Sequence, residues 1–168
     1  MTQTPLQASV AYAHAHTDAF IEQYKELLRI PSIGADPAYR ADVRRAADWI
    51  AAEMVRLGLD HVQVLETEGQ PAVYGDWLHA GPEAPTVLLY AHYDVQPVDP
   101  LALWVTPPFE PDIREGKLYA RGAVDDKSGV FLHLKALESV LNATGELPIN
   151  TKIIFEGEEE SGSPTMEP

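Results

Sequence analysis

The chain has 168 residues, 45% of them hydrophobic, enough to bury a core in one domain of ordinary size. Its net charge of −14 argues against a nucleic-acid backbone or an anionic membrane as a partner. There is no cysteine, which excludes disulfides and thiolate metal sites and fits a reducing, cytoplasmic location.

Residues 1–16 lack the basic start and apolar core of a signal peptide, and no run reaches the length of a membrane span. His14 and His16 fall in this polar segment and read as solvated tail residues. From 17 to 29, Phe20, Ile21, Tyr24, Leu27 and Leu28 keep helical spacing, and Pro31 should end that helix by holding Ile30 extended. Asp36 and Pro37 read as the cap and first position of a second helix. Its inner stripe is Val43, Ala47, Ile50, Met54 and Leu57, and Gly58 is its stop. The period then changes: residues 61–66 and 72–77 read as two strands of a hairpin across Glu68-Gly69-Gln70-Pro71.

Val87-Leu88-Leu89-Tyr90-Ala91 runs straight into His92, Tyr93 and Asp94. A short continuous apolar run predicts a buried strand of a parallel sheet. Residues i and i+2 share one side of an extended chain, so His92 and Asp94 sit together at the strand end, where open α/β sheets place ligands. The pair reads equally as a metal-ligating histidine aimed by a carboxylate and as a strand-end histidine beside a turn aspartate. Pro97, Pro100, Pro107, Pro108 and Pro111 then stiffen a loop that reads as a site wall rather than a linker.

Residues 117–122 suggest a short strand. Asp125-Asp126-Lys127 opens a helix carrying Val130, Phe131, Leu134, Leu137, Val140 and Leu141, and residues 151–155 form a second buried-type strand. That strand ends in Glu156-Gly157-Glu158-Glu159-Glu160. Helices alternating with apolar strands predict an α/β fold with a mixed, mostly parallel sheet flanked by helices. A helical crossover ends both strands on one edge, which brings His92 and Asp94 near Glu158–Glu160, with the Asp125 turn in reach. Each acidic cluster alone has a plainer reading, as a helix cap or a solvated loop. Carboxylates that converge repel one another unless a cation is present, and histidine with carboxylates suits zinc or manganese.

The stretches YAHYDVQPVDP, WVTPPFEPDIREGKLYARGAVDDKSG and FEGEEESGSP resemble the successive signatures of the two-metal exopeptidases. That family includes carnosinase-type dipeptidases, carboxypeptidase G, acetylornithine deacetylase and succinyl-diaminopimelate desuccinylase. The likeness runs from about Leu27 to the end and is nearest to the dipeptidase branch, through VQPVDP and PPFEP. It implies part of a zinc-peptidase catalytic domain holding two divalent ions, zinc first, with manganese or cobalt as alternatives. Position by position, it implies that His92 ligates one metal, Asp94 orients it, and Asp125 bridges both metals. Glu159 then corresponds to the general base, and Glu160 to a ligand of the other metal. The resemblance further implies a cis peptide between Asp125 and Asp126.

The implied reaction is hydrolysis of peptide bonds in dipeptides or short peptides. Deacylation of N-acyl amino acids and a non-catalytic fragment with weak metal or partner binding are the alternatives. Members of the family are longer, with a further acidic ligand, a further histidine ligand and a lid or dimerisation domain. No histidine follows His133 here. Residues 1–168 are therefore expected to be the N-terminal portion of a catalytic domain, weakly active or inactive alone, whose full-length form is a homodimer. The last strand is expected to leave an open sheet edge.

Overall fold

The structure, a computed structural model, describes residues 3–166. Its N-terminus departs from the polar tail expected there. Helix α1 (Pro5–Ala15) is opened by a capping box: Gln7 N–H donates to Thr4 Oγ1 (3.2 Å) and Thr4 N–H donates to Gln7 Oε1 (3.0 Å). Pro5 suits the first turn, where its missing N–H has no intrahelical partner to lose. His14 is exposed as expected, but the His16 ring stacks on Tyr12 at 3.9 Å and its Nδ1 lies 2.8 Å from the Tyr12 carbonyl.

Helix α2 (Thr17–Leu28) stops short of Pro31. A 3-10 turn over Pro37–Tyr39, capped by the Asp36 carboxylate on Ala38 N–H (2.9 Å), precedes α3 (Arg40–Arg56). Asp36 and Pro37 thus begin that turn rather than the α-helix itself. Gly58, at φ +78°, ends the segment in a conformation that a side chain would strain.

Strands β1 (Asp60–Leu65) and β2 (Ala72–Trp77) pair antiparallel as the expected hairpin. Strand β3 (Thr86–His92) is followed by a small hairpin of β4 (Asp112–Arg114) and β5 (Lys117–Tyr119), then by α4 (Lys127–Thr144) and β6 (Asn150–Glu156). β3 and β6 run parallel, with His92 opposite Glu156. The sheet order is β1-β2-β6-β3, and β2 pairs antiparallel with β6.

The mixed α/β class therefore holds, but the sheet is not mostly parallel, because the early hairpin docks on the free side of β6 and supplies two antiparallel pairings. Docking there also makes β6 an interior strand, so the sheet's edges are β1 and β3 rather than the last strand. Val73, Ile153, Phe155 and Ala91 share the face that α3 and α4 cover. The two helices meet on that same side, where Lys135 bonds Glu53 (3.2 Å) and Glu138 (2.8 Å), and Arg56 bonds Glu138 (2.6 Å). The alternate residues of β3 face away from them, leaving Leu88 64% and Tyr90 46% exposed. Only the C-terminal end of β3, Ala91 and His92, is buried as the apolar run suggested. No helix among the described residues is long and apolar enough to cross a membrane.

Candidate metal centre

Parallel pairing carries β3 and β6 to the same sheet edge, where Tyr93 N–H donates to Glu156 O (2.9 Å). Helix α4 begins at that edge, with Asp126 Oδ1 accepting from Gly129 N–H (3.0 Å) as its cap. Asp125 is thereby freed from capping and faces the strand ends. The Asp125–Asp126 peptide is cis.

His92, Asp125 and Glu160 each offer a ligand atom, and these atoms lie within 4.8 Å of one another. His92 Nε2 is 3.1 Å from Asp125 Oδ1 and 3.7 Å from Glu159 Oε2. Across the ring, Nδ1 lies 3.2 Å from both Asp94 Oδ1 and Asp94 O. With Nδ1–H donating to Asp94, Nε2 keeps its lone pair for the acidic side of the cluster, which is the tautomer a ligand requires. Burial disfavours a charge on His92, but hydrogen bonding to Asp94 and the charges of Asp94, Glu159 and Asp126 outweigh it and raise its pKa to about 9. The same negative field favours a divalent cation in place of the proton. The donor set, one imidazole and two carboxylates, fits such an ion.

Asp94 does more than the motif suggested. It is fully buried, and its carboxylate also accepts from Glu159 N–H (3.2 Å) and Glu160 N–H (3.1 Å). One side chain thus aims the imidazole and fixes the backbone of both glutamates. Three consecutive glutamates have separate tasks. Glu158 is buried and turned away, accepting from Gln70 N–H (3.0 Å), Thr165 N–H (2.8 Å) and the Thr165 hydroxyl. Glu159 and Glu160 face the cluster.

Gln96 was missed in the sequence, since two residues past Asp94 nothing sets it apart from ordinary loop. Its Nε2 donates to Glu160 Oε2 (2.7 Å), so the other oxygen of Glu160 remains available. The proline loop beyond is braced rather than loose: Trp104 Nε1–H donates to Val98 O (2.8 Å), and Arg121 donates to Pro97 O (2.9 Å). His61 and His79 pair with Asp76 (2.9 Å) and Asp60 (2.6 Å) and take no part in the cluster.

Residues 88–167 match peptidase family M20/M25/M40. Over that stretch the chain is similar to the domain of this family. A cysteinylglycine-S-conjugate dipeptidase from Corynebacterium striatum is 35% identical over 145 residues, 86% of this chain and 31% of the relative. Human Beta-Ala-His dipeptidase is 34% identical over 173 residues, 96% of this chain and 34% of the relative. The crystal structure of human carnosine dipeptidase 1 superposes with a TM-score of 0.89 at 32% identity, covering 99% of this chain and 37% of that one. The chain thus spans about a third of the length of the curated relatives it matches. The similarity to M20 metallopeptidases implies divalent metal ions, and the His92, Asp125 and Glu160 cluster is a site able to hold one.

Proposed function

We propose that residues 1–168 form the N-terminal portion of the catalytic domain of a metal-dependent dipeptidase, which cleaves the peptide bond of dipeptides or short peptides with zinc as its first-choice ion. The observation that carries this reading is the convergence of His92, Asp125 and Glu160 from three separate segments, with Glu159 beside them. The two relatives described above are both dipeptidases, which supports the substrate class. A cysteine-free composition agrees with a cytoplasmic location, which we include in the proposal.

In this reading His92, Asp125 and Glu160 would supply ligands to the two divalent ions, and Asp94 fixes the tautomer and aim of His92. Divalent ions held by these residues would supply a Lewis acid for the amide carbonyl and lower the pKa of water. Glu159, its side chain 44% exposed, stands outside the ligand set and accepts the proton of the attacking water, then delivers it to the departing amine. Asp125, with 76% of its side chain exposed, keeps the cluster open to an incoming substrate.

Metal stoichiometry tests the site. The chain is expected to bind Zn²⁺ or Mn²⁺, and Asp125→Ala to abolish that binding. A dipeptide panel on a longer protein carrying this sequence tests the activity. Failure of the native chain to bind either ion, or equal binding by Asp125→Ala, would reject the proposal.

A further inference from the structure

Three ligand-bearing segments must keep their spacing for a metal cluster to work, and one short turn that supplies no ligand touches all three. We infer that the turn after α2, residues 30–34, sets the geometry of the metal cluster, with Lys127 and Ser32 as its positioning residues. The inference rests on the metal-site reading above.

Lys127 is the first residue of α4, two past Asp125, and its side chain is completely buried. Burying an ammonium is costly unless its donors are met. Its Nζ donates to Leu27 O (3.1 Å) and Ile30 O (2.5 Å), carbonyls at the C-terminal end of α2, where the helix dipole favours a cation. The stem lies so close to Gly122 that a Cβ there would come within 3.1 Å of Lys127 Cδ. The side chain therefore has little freedom to swing, and the start of α4, with Asp125, is tethered to the turn.

The same turn grips β3. Ser32 is fully buried; its Oγ donates to Tyr93 O (2.6 Å), and Val95 N–H donates to Ser32 O (2.9 Å). These two bonds bracket Asp94 on either side. Gly34 completes the contact: a Cβ built there would lie 2.9 Å from Asp94 Oδ2 and 2.7 Å from Gly157 O, so no side chain fits between the turn and the exits of β3 and β6. Gln70 adds a last tie, donating from Nε2 to Gly34 O (3.0 Å) while its N–H holds Glu158 (3.0 Å). Asp125, His92 with Asp94, and the Glu159–Glu160 turn each lie within three residues of a contact with this segment. A ligand displaced by about 1 Å is a recognised cause of large functional loss.

The test compares the native chain with Lys127→Met and Ser32→Ala. Each is measured for Zn²⁺ affinity by calorimetry, for the visible spectrum of added Co²⁺, and for thermal unfolding without metal. Lys127→Met is expected to weaken Zn²⁺ binding about tenfold or more, and Ser32→Ala about threefold, with an altered Co²⁺ spectrum in both, in line with the effects of residues that orient ligands. A merely structural role lowers the unfolding temperature but leaves the affinity of the folded chain and its Co²⁺ spectrum unchanged; that result overturns the inference. If Lys127→Met does not fold, Ser32→Ala decides by the same two readouts. Native binding with unaffected variants rejects this inference alone, whereas absence of native binding rejects the metal-site reading and this inference with it.

Discussion

Asp94→Asn is the most informative single change. The native carboxylate has two oxygens and serves three donors: His92 Nδ1–H and the backbone N–H groups of Glu159 and Glu160. Asparagine keeps the shape but replaces one oxygen with an NH₂ group, so a donor must face a donor at a side chain that is itself fully buried. An unmet buried donor costs about 1–3 kcal/mol, and hydrogen bonds to a charged group are worth about 1.5–3 kcal/mol, so the metal-free chain should lose roughly 2–4 kcal/mol of stability. The pKa of His92 should fall from about 9 toward its ordinary value, because Asp94 is the leading group that raises it. Metal affinity should drop about 10- to 100-fold, the usual consequence of losing the partner that orients a ligating histidine. Urea unfolding, a proton NMR titration of His92 and calorimetry with Zn²⁺ read these three quantities. A variant within about 0.5 kcal/mol of the native stability, comparable to an ordinary surface substitution, with His92 still titrating near 9, would refute the account of Asp94.

Other expectations follow from the same geometry. Because folding raises the pKa of His92 above its unfolded value of about 6.5, its contribution to metal-free stability is full below that pH and is lost as pH rises through about 9. Metal and proton compete for Nε2, so Zn²⁺ affinity should increase with pH across the same window, with proton release measurable by calorimetry in buffers of different ionisation enthalpy. Glu159→Gln should leave Zn²⁺ affinity within about twofold, since Glu159 is outside the ligand set, yet abolish dipeptide turnover in a longer active form. Normal turnover there would remove Glu159 as the base. Glu158→Ala frees the half-buried donors of Gln70 and Thr165 and should cost about 1–3 kcal/mol in urea unfolding. If it instead eliminated metal binding without loss of stability, Glu158 would belong among the ligands.

Much of the site was legible because strand geometry makes it so. The i, i+2 spacing of His92 and Asp94 and the two apolar runs on either side of an amphipathic helix suffice to bring both strand ends to one edge. The helix at the N-terminus went unread for a different reason. Its small, weakly patterned residues hide any amphipathic stripe, although Thr4-Pro5-Leu6-Gln7 carried the signature of a capping box. The predominance of parallel strands failed because nothing local to residues 60–77 states which side of β6 the hairpin will join. Strand pairing is a choice among distant partners.

What the sequence by itself determined was the chemistry: which residue types stand at strand ends and helix starts, and hence that imidazole and carboxylates meet without a thiolate. These are consequences of covalent order and of periods of 2 and 3.6. The tertiary structure alone decided where the three glutamates point: Glu158 turns back onto Gln70 and Thr165, while Glu159 and Glu160 face His92. It alone revealed Gln96 against Glu160, and Lys127 and Ser32 holding the turn after α2. Such roles arise from contacts between residues about 60 to 100 positions apart, and no local pattern along a chain records what folding will place beside it.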